Sequence, residues 1–156
     1  MTIEELEAKV RLLEDIEAIK KLFARFCYLV DSGDWDELMT HFTDDAVADF
    51  PASPFGRHEG KVGVARLFKE LLVFDFMVHM CHNPIIEVNG EKATGEWYYE
   101  VPATHKQQKK AIWLVGKYEN EFVKVGGEWK IKALVGHMYY VTPYDEGWVK
   151  TRMCEV

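Results

Sequence analysis

The hydrophobic period of this chain changes once, and that change restricts what it can fold into. Up to about Phe74 the apolar residues recur at helical spacing, and from Phe76 onward they alternate with period two. Thr2 and Glu5 match a capping box, followed by Leu6, Val10, Leu13, Ile16, Ile19, Leu22, Phe23 and Phe26 on helical spacing to about Val30. A long or twice-broken helix is expected, with Asp15 the second N-cap if it breaks. Gly33 can end that helix in a left-handed conformation, and Asp34 with Glu37 can cap a short helix carrying Trp35, Leu38 and Phe42. Thr43-Asp44-Asp45 reads as a turn, Ala46 to Phe50 as a strand, and Pro51 to Gly60 as a loop. Helical spacing then returns from Lys61 to Phe74 through Val62, Ala65, Phe68 and Leu72.

After Phe76, the turn signals Asn89-Gly90 and Gly126-Gly127 separate long runs rich in aromatic and β-branched residues, which predicts antiparallel strands. Ala93, Gly95, Trp97, Tyr99 and Val101 share one face of one strand. Trp129, Ile131, Ala133, Val135, His137 and Tyr139 share one face of the last. Helices first and strands afterwards, with no repeat or linker between them, predict one α+β domain over residues 1–156 in which a curved sheet faces the helices. Its 48% hydrophobic and 13% aromatic residues can build a core without staples and line a pocket.

The net charge of −7 argues against a nucleic-acid partner, since the basic run from Lys106 to Lys110 is short and broken by glutamines, as in a solvated loop. Cys27, Cys81 and Cys154 are odd in number and lack Cys-x-x-Cys spacing, so neither a disulfide framework nor a zinc knuckle is indicated and a reducing cytoplasm is expected. No apolar run is long enough to span a bilayer, and Met1-Thr2-Ile3-Glu4-Glu5 is unlike a signal peptide, so no membrane partner is expected.

Chemistry concentrates where the first helix stops. Ile16, Ile19, Phe23, Phe26, Cys27 and Val30 form one stripe, and Asp31 falls at its edge, one turn after Cys27. An ionised carboxylate in an apolar wall needs a hydrogen-bonding or charged partner. His79, in Val78-His79-Met80-Cys81-His82-Asn83, is the candidate. Each taken alone also fits a plainer role, Asp31 closing a helix before Gly33 and His79 as a hydrogen-bonded core histidine. His82 points to the opposite strand face from His79, which also separates the two as metal ligands, so no metal or cofactor is expected. His137 lies beside Tyr139, and Tyr28 sits near Asp31 on the helix; either could serve as an acid or hydrogen-bond donor. Trp97, Tyr99, Trp113, Tyr118 and Trp129 read first as packing residues.

Taken in order, Asp31-Ser-Gly-Asp-Trp-Asp-Glu-Leu38, Thr43-Asp-Asp-Ala-Val47, His79 with Asn83 and Pro84, Glu87-Val-Asn-Gly-Glu-Lys-Ala-Thr-Gly95 and Gly126-Gly-Glu-Trp-Lys-Ile131 form a recognisable series. Over about Ile16 to Ile131 the chain resembles the SnoaL-like branch of the nuclear transport factor two-like superfamily, and within it the scytalone dehydratase and bile-acid dehydratase relatives. The resemblance implies a cone-shaped barrel with N-terminal helices packed on a strongly curved, mostly antiparallel sheet. It places Asp31 on the family's helix aspartate and His79 on its strand histidine. The helix tyrosine of the bile-acid enzymes falls at Phe26, and their second acid falls at Val101, next to Glu100 on the other strand face. The second histidine of scytalone dehydratase follows a Val-Pro step; here His105 comes two residues late after Val101-Pro102.

The implied activity is a cofactor-independent lyase of the dehydratase kind, or an isomerase, acting on a small cyclic, mostly apolar hydroxy-carbonyl compound. His79 would be the general base and Asp31 its orienting carboxylate, with Tyr28, His105 or His137 as the acid or oxyanion donor and Phe26, Trp97, Tyr99 and Asn83 against the substrate. The alternative is a non-catalytic ligand-binding or structural subunit of the same fold. Long aromatic strands also leave more apolar surface than the helices can cover, which predicts a homodimer or homotrimer joined through the outer sheet face.

Overall fold

The computed structural model describes residues 1–51 and 53–155. Helix α1 (Ile3–Ser32) is a single unbroken element; Thr2 and Glu5 form the capping box, and Gly33, at φ 71°, ends the helix in the left-handed region that glycine adopts without steric cost. Asp15 does not cap a second helix. Its carboxylate accepts hydrogen bonds from Trp129 Nε1 (2.8 Å) and from Lys124, tethering the middle of α1 to the sheet. The short helix α2 (Trp35–Thr40) starts on Asp34, whose side chain accepts from the Glu37 amide.

Strand β1 (Phe42–Phe50) begins earlier than expected. The predicted turn at Thr43 to Asp45 lies inside it as an irregularity, where five residues advance against two of its partner strand. The predicted loop from Pro51 to Gly60 contains a short strand β2 (Gly56–Glu59), which pairs antiparallel with β1 and is held by Arg57 against Asp49 and Glu59. Helix α3 (Gly60–Glu70) and a 3-10 turn (Leu71–Val73) lead into β3 (Phe74–Met77), β4 (Met80–Asn89), β5 (Lys92–His105), β6 (Lys110–Val125) and β7 (Glu128–Pro143), before a last turn of helix, α4 (Gly147–Lys150).

The strand order is β2-β1-β7-β6-β5-β3, with β4 pairing the same edge of β5 as β3. All pairings are antiparallel except β1 with β7, so the sheet is mixed, and it curves into a half-barrel around α1 and α3. One apolar core fills the concave side, with Phe23 and Phe26 of α1 against Trp97, Tyr118, Phe122 and Phe68. No helix among the described residues is long and apolar enough to cross a membrane.

Two bulges in β7 change which side chains reach that core. The β6 partners step from Phe122–Ile131 to Glu121–Ala133, leaving Lys132 as an extra residue, and parity flips there. Ile131 and Leu134 are consequently both buried, and Leu134 and Met138 face inward where Val135 and His137 were expected. A second shift near Tyr139 restores the original phase, so that Val141 is buried again.

Candidate active site

His79 sits in the two-residue break between β3 and β4, opposite Val101 of β5. Its neighbour Val78 donates to the carbonyl of Pro102 (3.1 Å), but proline has no N–H to return, so the ladder is interrupted there. On this edge of the sheet the His79 amide needs another acceptor. Asp31, one residue before the end of α1, provides it. The amide lies 3.1 and 3.0 Å from the two carboxylate oxygens, and Nδ1 of the same histidine is 2.6 Å from Oδ1. One turn earlier on the helix, Cys27 Sγ lies 3.5 Å from Cys81 Sγ, so α1 and β4 also touch directly beside the pair. That shared hydrogen bond, together with burial, raises the Cys81 thiol far above its ordinary value.

The short contact bears on the tautomer of the imidazole. With Asp31 ionised, the 2.6 Å contact requires the proton on Nδ1, which leaves the Nε2 lone pair free. His79 lines an apolar cavity of about 50 Å3 between the helices and the sheet. Phe26 and Val30 of α1, Leu67 and Phe68 of α3, and Val101, Leu114, Leu134 and Met138 of the sheet form most of its wall. Among the described residues that line it, His79, Tyr99 and Tyr118 are those with polar side chains. The Tyr99 hydroxyl is buried with no hydrogen-bond partner, and its ring lies against Tyr118 with centroids 4.3 Å apart. Burial pushes both phenols up, so both remain protonated donors at neutral pH.

The remaining residues predicted for the site do not line this cavity. Tyr28 is 70% exposed and, with Asp31, Trp97 and the other side of His79, borders an outer groove separated from the cavity. Trp97 packs under Phe23 at a centroid distance of 4.3 Å, because its alternation places it beside Gly95, toward the far end of the core. His105 is buried, but Nδ1 accepts from the Gln108 amide (3.1 Å), so it caps the turn after β5. His137 faces outward as a result of the Lys132 bulge and contacts Glu119 at 3.2 Å. Asn83, at φ 53°, occupies the irregularity between His82 and Ile85 and borders a separate surface hollow with Ile85 and Lys117. His82 contacts Glu100 on the outer face. Among the described residues, no group of three His, Cys, Asp or Glu side chains is placed to hold a metal ion.

Two residues that matter here carry no site role in the sequence reading. Tyr118 was assigned to packing, and its hydroxyl-bearing ring turns out to line the cavity. Gly116 lies directly across from Tyr99, and a Cβ there would fall 2.5 Å from the Tyr99 hydroxyl and 2.2 Å from the His137 carbonyl oxygen. The available signal was a lone glycine inside a long strand pattern, which marks a close approach.

The family model described as SnoaL-like domain matches residues 11–135. Among solved structures, the hexachlorocyclohexane dehydrochlorinase LinA-type3 from Novosphingobium barchaimii LL02 superimposes with a TM-score of 0.79 at 23% identity, covering 86% of this chain and 93% of that one. A protein from Novosphingobium aromaticivorans DSM 12444, described provisionally as a scytalone dehydratase, gives 0.78 at 22% identity, covering 85% and 89%. An NTF2-like protein with a cystatin-like fold, also from Novosphingobium aromaticivorans, gives 0.75 at 22% identity, covering 96% and 94%. At these identities the likeness is one of fold, and the fold is NTF2-like.

Proposed function

Because the chain belongs to the SnoaL-like domain family, we propose that it is a cofactor-independent lyase in which His79, oriented by Asp31, removes a proton from carbon. The observation that supports this reading is the 2.6 Å contact of Asp31 with His79, a histidine that lines a mostly apolar cavity. There His79 Nε2 takes the proton from the carbon beside a carbonyl. The electron pair left behind forms the new double bond as a hydroxyl leaves the next carbon. The imidazolium, stabilised by Asp31, returns the proton to that hydroxyl, which departs as water. The Tyr99 hydroxyl, having no protein partner, donates to the carbonyl oxygen, where negative charge develops. Dehydrochlorination, as named for the LinA structure, is also an elimination, with chloride as the leaving group.

The apolar wall suits a small cyclic hydroxy-ketone. A volume of about 50 Å3 requires flexible side chains such as Met77 and Met138 to yield to a ring. The same narrowness favours a second reading, a ligand-binding or structural subunit without turnover. A panel of cyclic β-hydroxy ketones, followed by enone absorbance and by thermal shift, separates the two. Enone formation supports the lyase, whereas a raised unfolding temperature without product supports binding alone. A single domain in a reducing cytoplasm belongs to the same proposal and fits the three free thiols.

Self-association through the outer sheet face is a further part of this reading, because Tyr98 and Tyr139 leave an exposed aromatic pair there, with ring centroids 6.3 Å apart, and Ile85 is exposed on the neighbouring strand. Tyr98→Glu should shift a dimer or trimer toward monomer in light scattering. A parent chain that is monomeric at micromolar concentration would remove that interface.

A further inference from the structure

The N-terminal part of α1 belongs to no part of the site. Asp15 pins the helix to Lys124 and Trp129, which flank the β6–β7 hairpin, and every residue before it is exposed. The twelve residues from Ile3 to Glu14 therefore project beyond the body by about 18 Å at 1.5 Å per residue. They carry five large exposed apolar side chains; Leu12 lies well around the helix from the other four, Ile3, Leu6, Val10 and Leu13. Their spacing of three, four and three is the a and d repeat of two heptads.

This stripe does not extend the core-facing one. At about 100° per residue it lies roughly 150° around the helix from Ile19, Phe23, Phe26 and Val30, which are buried against the sheet. The next a and d positions are Glu17 and Lys20, so the seam ends where the body begins. We propose that this projecting segment pairs in parallel and in register with the same segment of a second copy of the chain, as a two-stranded coiled coil.

Two features specify the occupant. Ile3 and Val10 put β-branched side chains at a, with Leu6 and Leu13 at d, the combination that favours two parallel strands. Lys9 occupies g and Glu14 the following e, so parallel, in-register pairing places each Lys9 beside the opposite Glu14. Neither makes an ion pair within its own chain among the described residues. Antiparallel pairing would instead bring like charges together at these positions. Two heptads are short, but the anchored half of α1 already provides the helical nucleus that an isolated segment would have to form.

The test is disulfide trapping in the full chain with oxidised glutathione. Leu6→Cys should give a covalent dimer on non-reducing gels, and Leu12→Cys, at a c position, should not. Absence of the link in Leu6→Cys, or equal linking in both variants, overturns the proposal. Independently, Lys9→Glu should weaken self-association about tenfold in sedimentation equilibrium, and Lys9→Glu with Glu14→Lys should restore it. An unchanged dissociation constant for Lys9→Glu would also overturn it, whatever Tyr98→Glu does at the sheet face.

Discussion

Asp31→Asn should lower turnover of a confirmed substrate by about 10²- to 10⁴-fold while leaving the fold in place. Asparagine can still accept from the His79 amide and ring, so the connection between α1 and the β3–β4 break survives. What it loses is the negative charge that holds the proton on Nδ1 and stabilises the imidazolium. Unfolding free energy should change by about 3 kcal/mol or less. His79→Gln should remove activity to a similar extent, because among the described residues no other basic side chain lines the cavity. Thermal unfolding and turnover, measured side by side, decide the matter. Unchanged turnover in either variant takes that residue out of the mechanism, and a large stability loss with ligand affinity intact would make the pair a structural one.

The second large effect is expected at Gly116. A methyl group there would sit 2.2 Å from the His137 carbonyl oxygen, which is backbone and cannot swing away, and 2.5 Å from the Tyr99 hydroxyl. Gly116→Ala should destabilise the protein by about 1–3 kcal/mol through overpacking and displace the Tyr99 hydroxyl. Tyr99→Phe separates those two consequences. It removes the unpartnered hydroxyl from the core, so stability should hold, yet turnover should fall about 10²-fold if that hydroxyl donates to the developing oxyanion. Unaltered kcat in Tyr99→Phe would assign the donor role elsewhere, and a Gly116→Ala chain with parental Tm would contradict the close approach.

What could be read along the chain was whatever depends on local period and on turn chemistry. The capping box at Thr2, the stop at Gly33, the cap at Asp34 and the turns at Asn89-Gly90 and Gly126-Gly127 all follow from backbone groups a few residues apart, so the element order and the α+β class were available before any contact was known. The placement of Asp31 at the edge of a buried stripe was available for the same reason. The contents of the cavity wall were not. His137 was expected inside and lies outside because one extra residue, Lys132, reverses the side-chain alternation of β7, and a bulge is set by strand pairing across the sheet. His105 follows the turn it caps, and Tyr28 follows a helix face that only the docking of α1 on β4 could expose. The seam at Ile3, Leu6, Val10 and Leu13 looked like a continuation of the core stripe, since both share helical spacing. Only the tether at Asp15 separates them, leaving one face packed on the sheet and the other without a partner, because helical period records which side chains align and not what they meet.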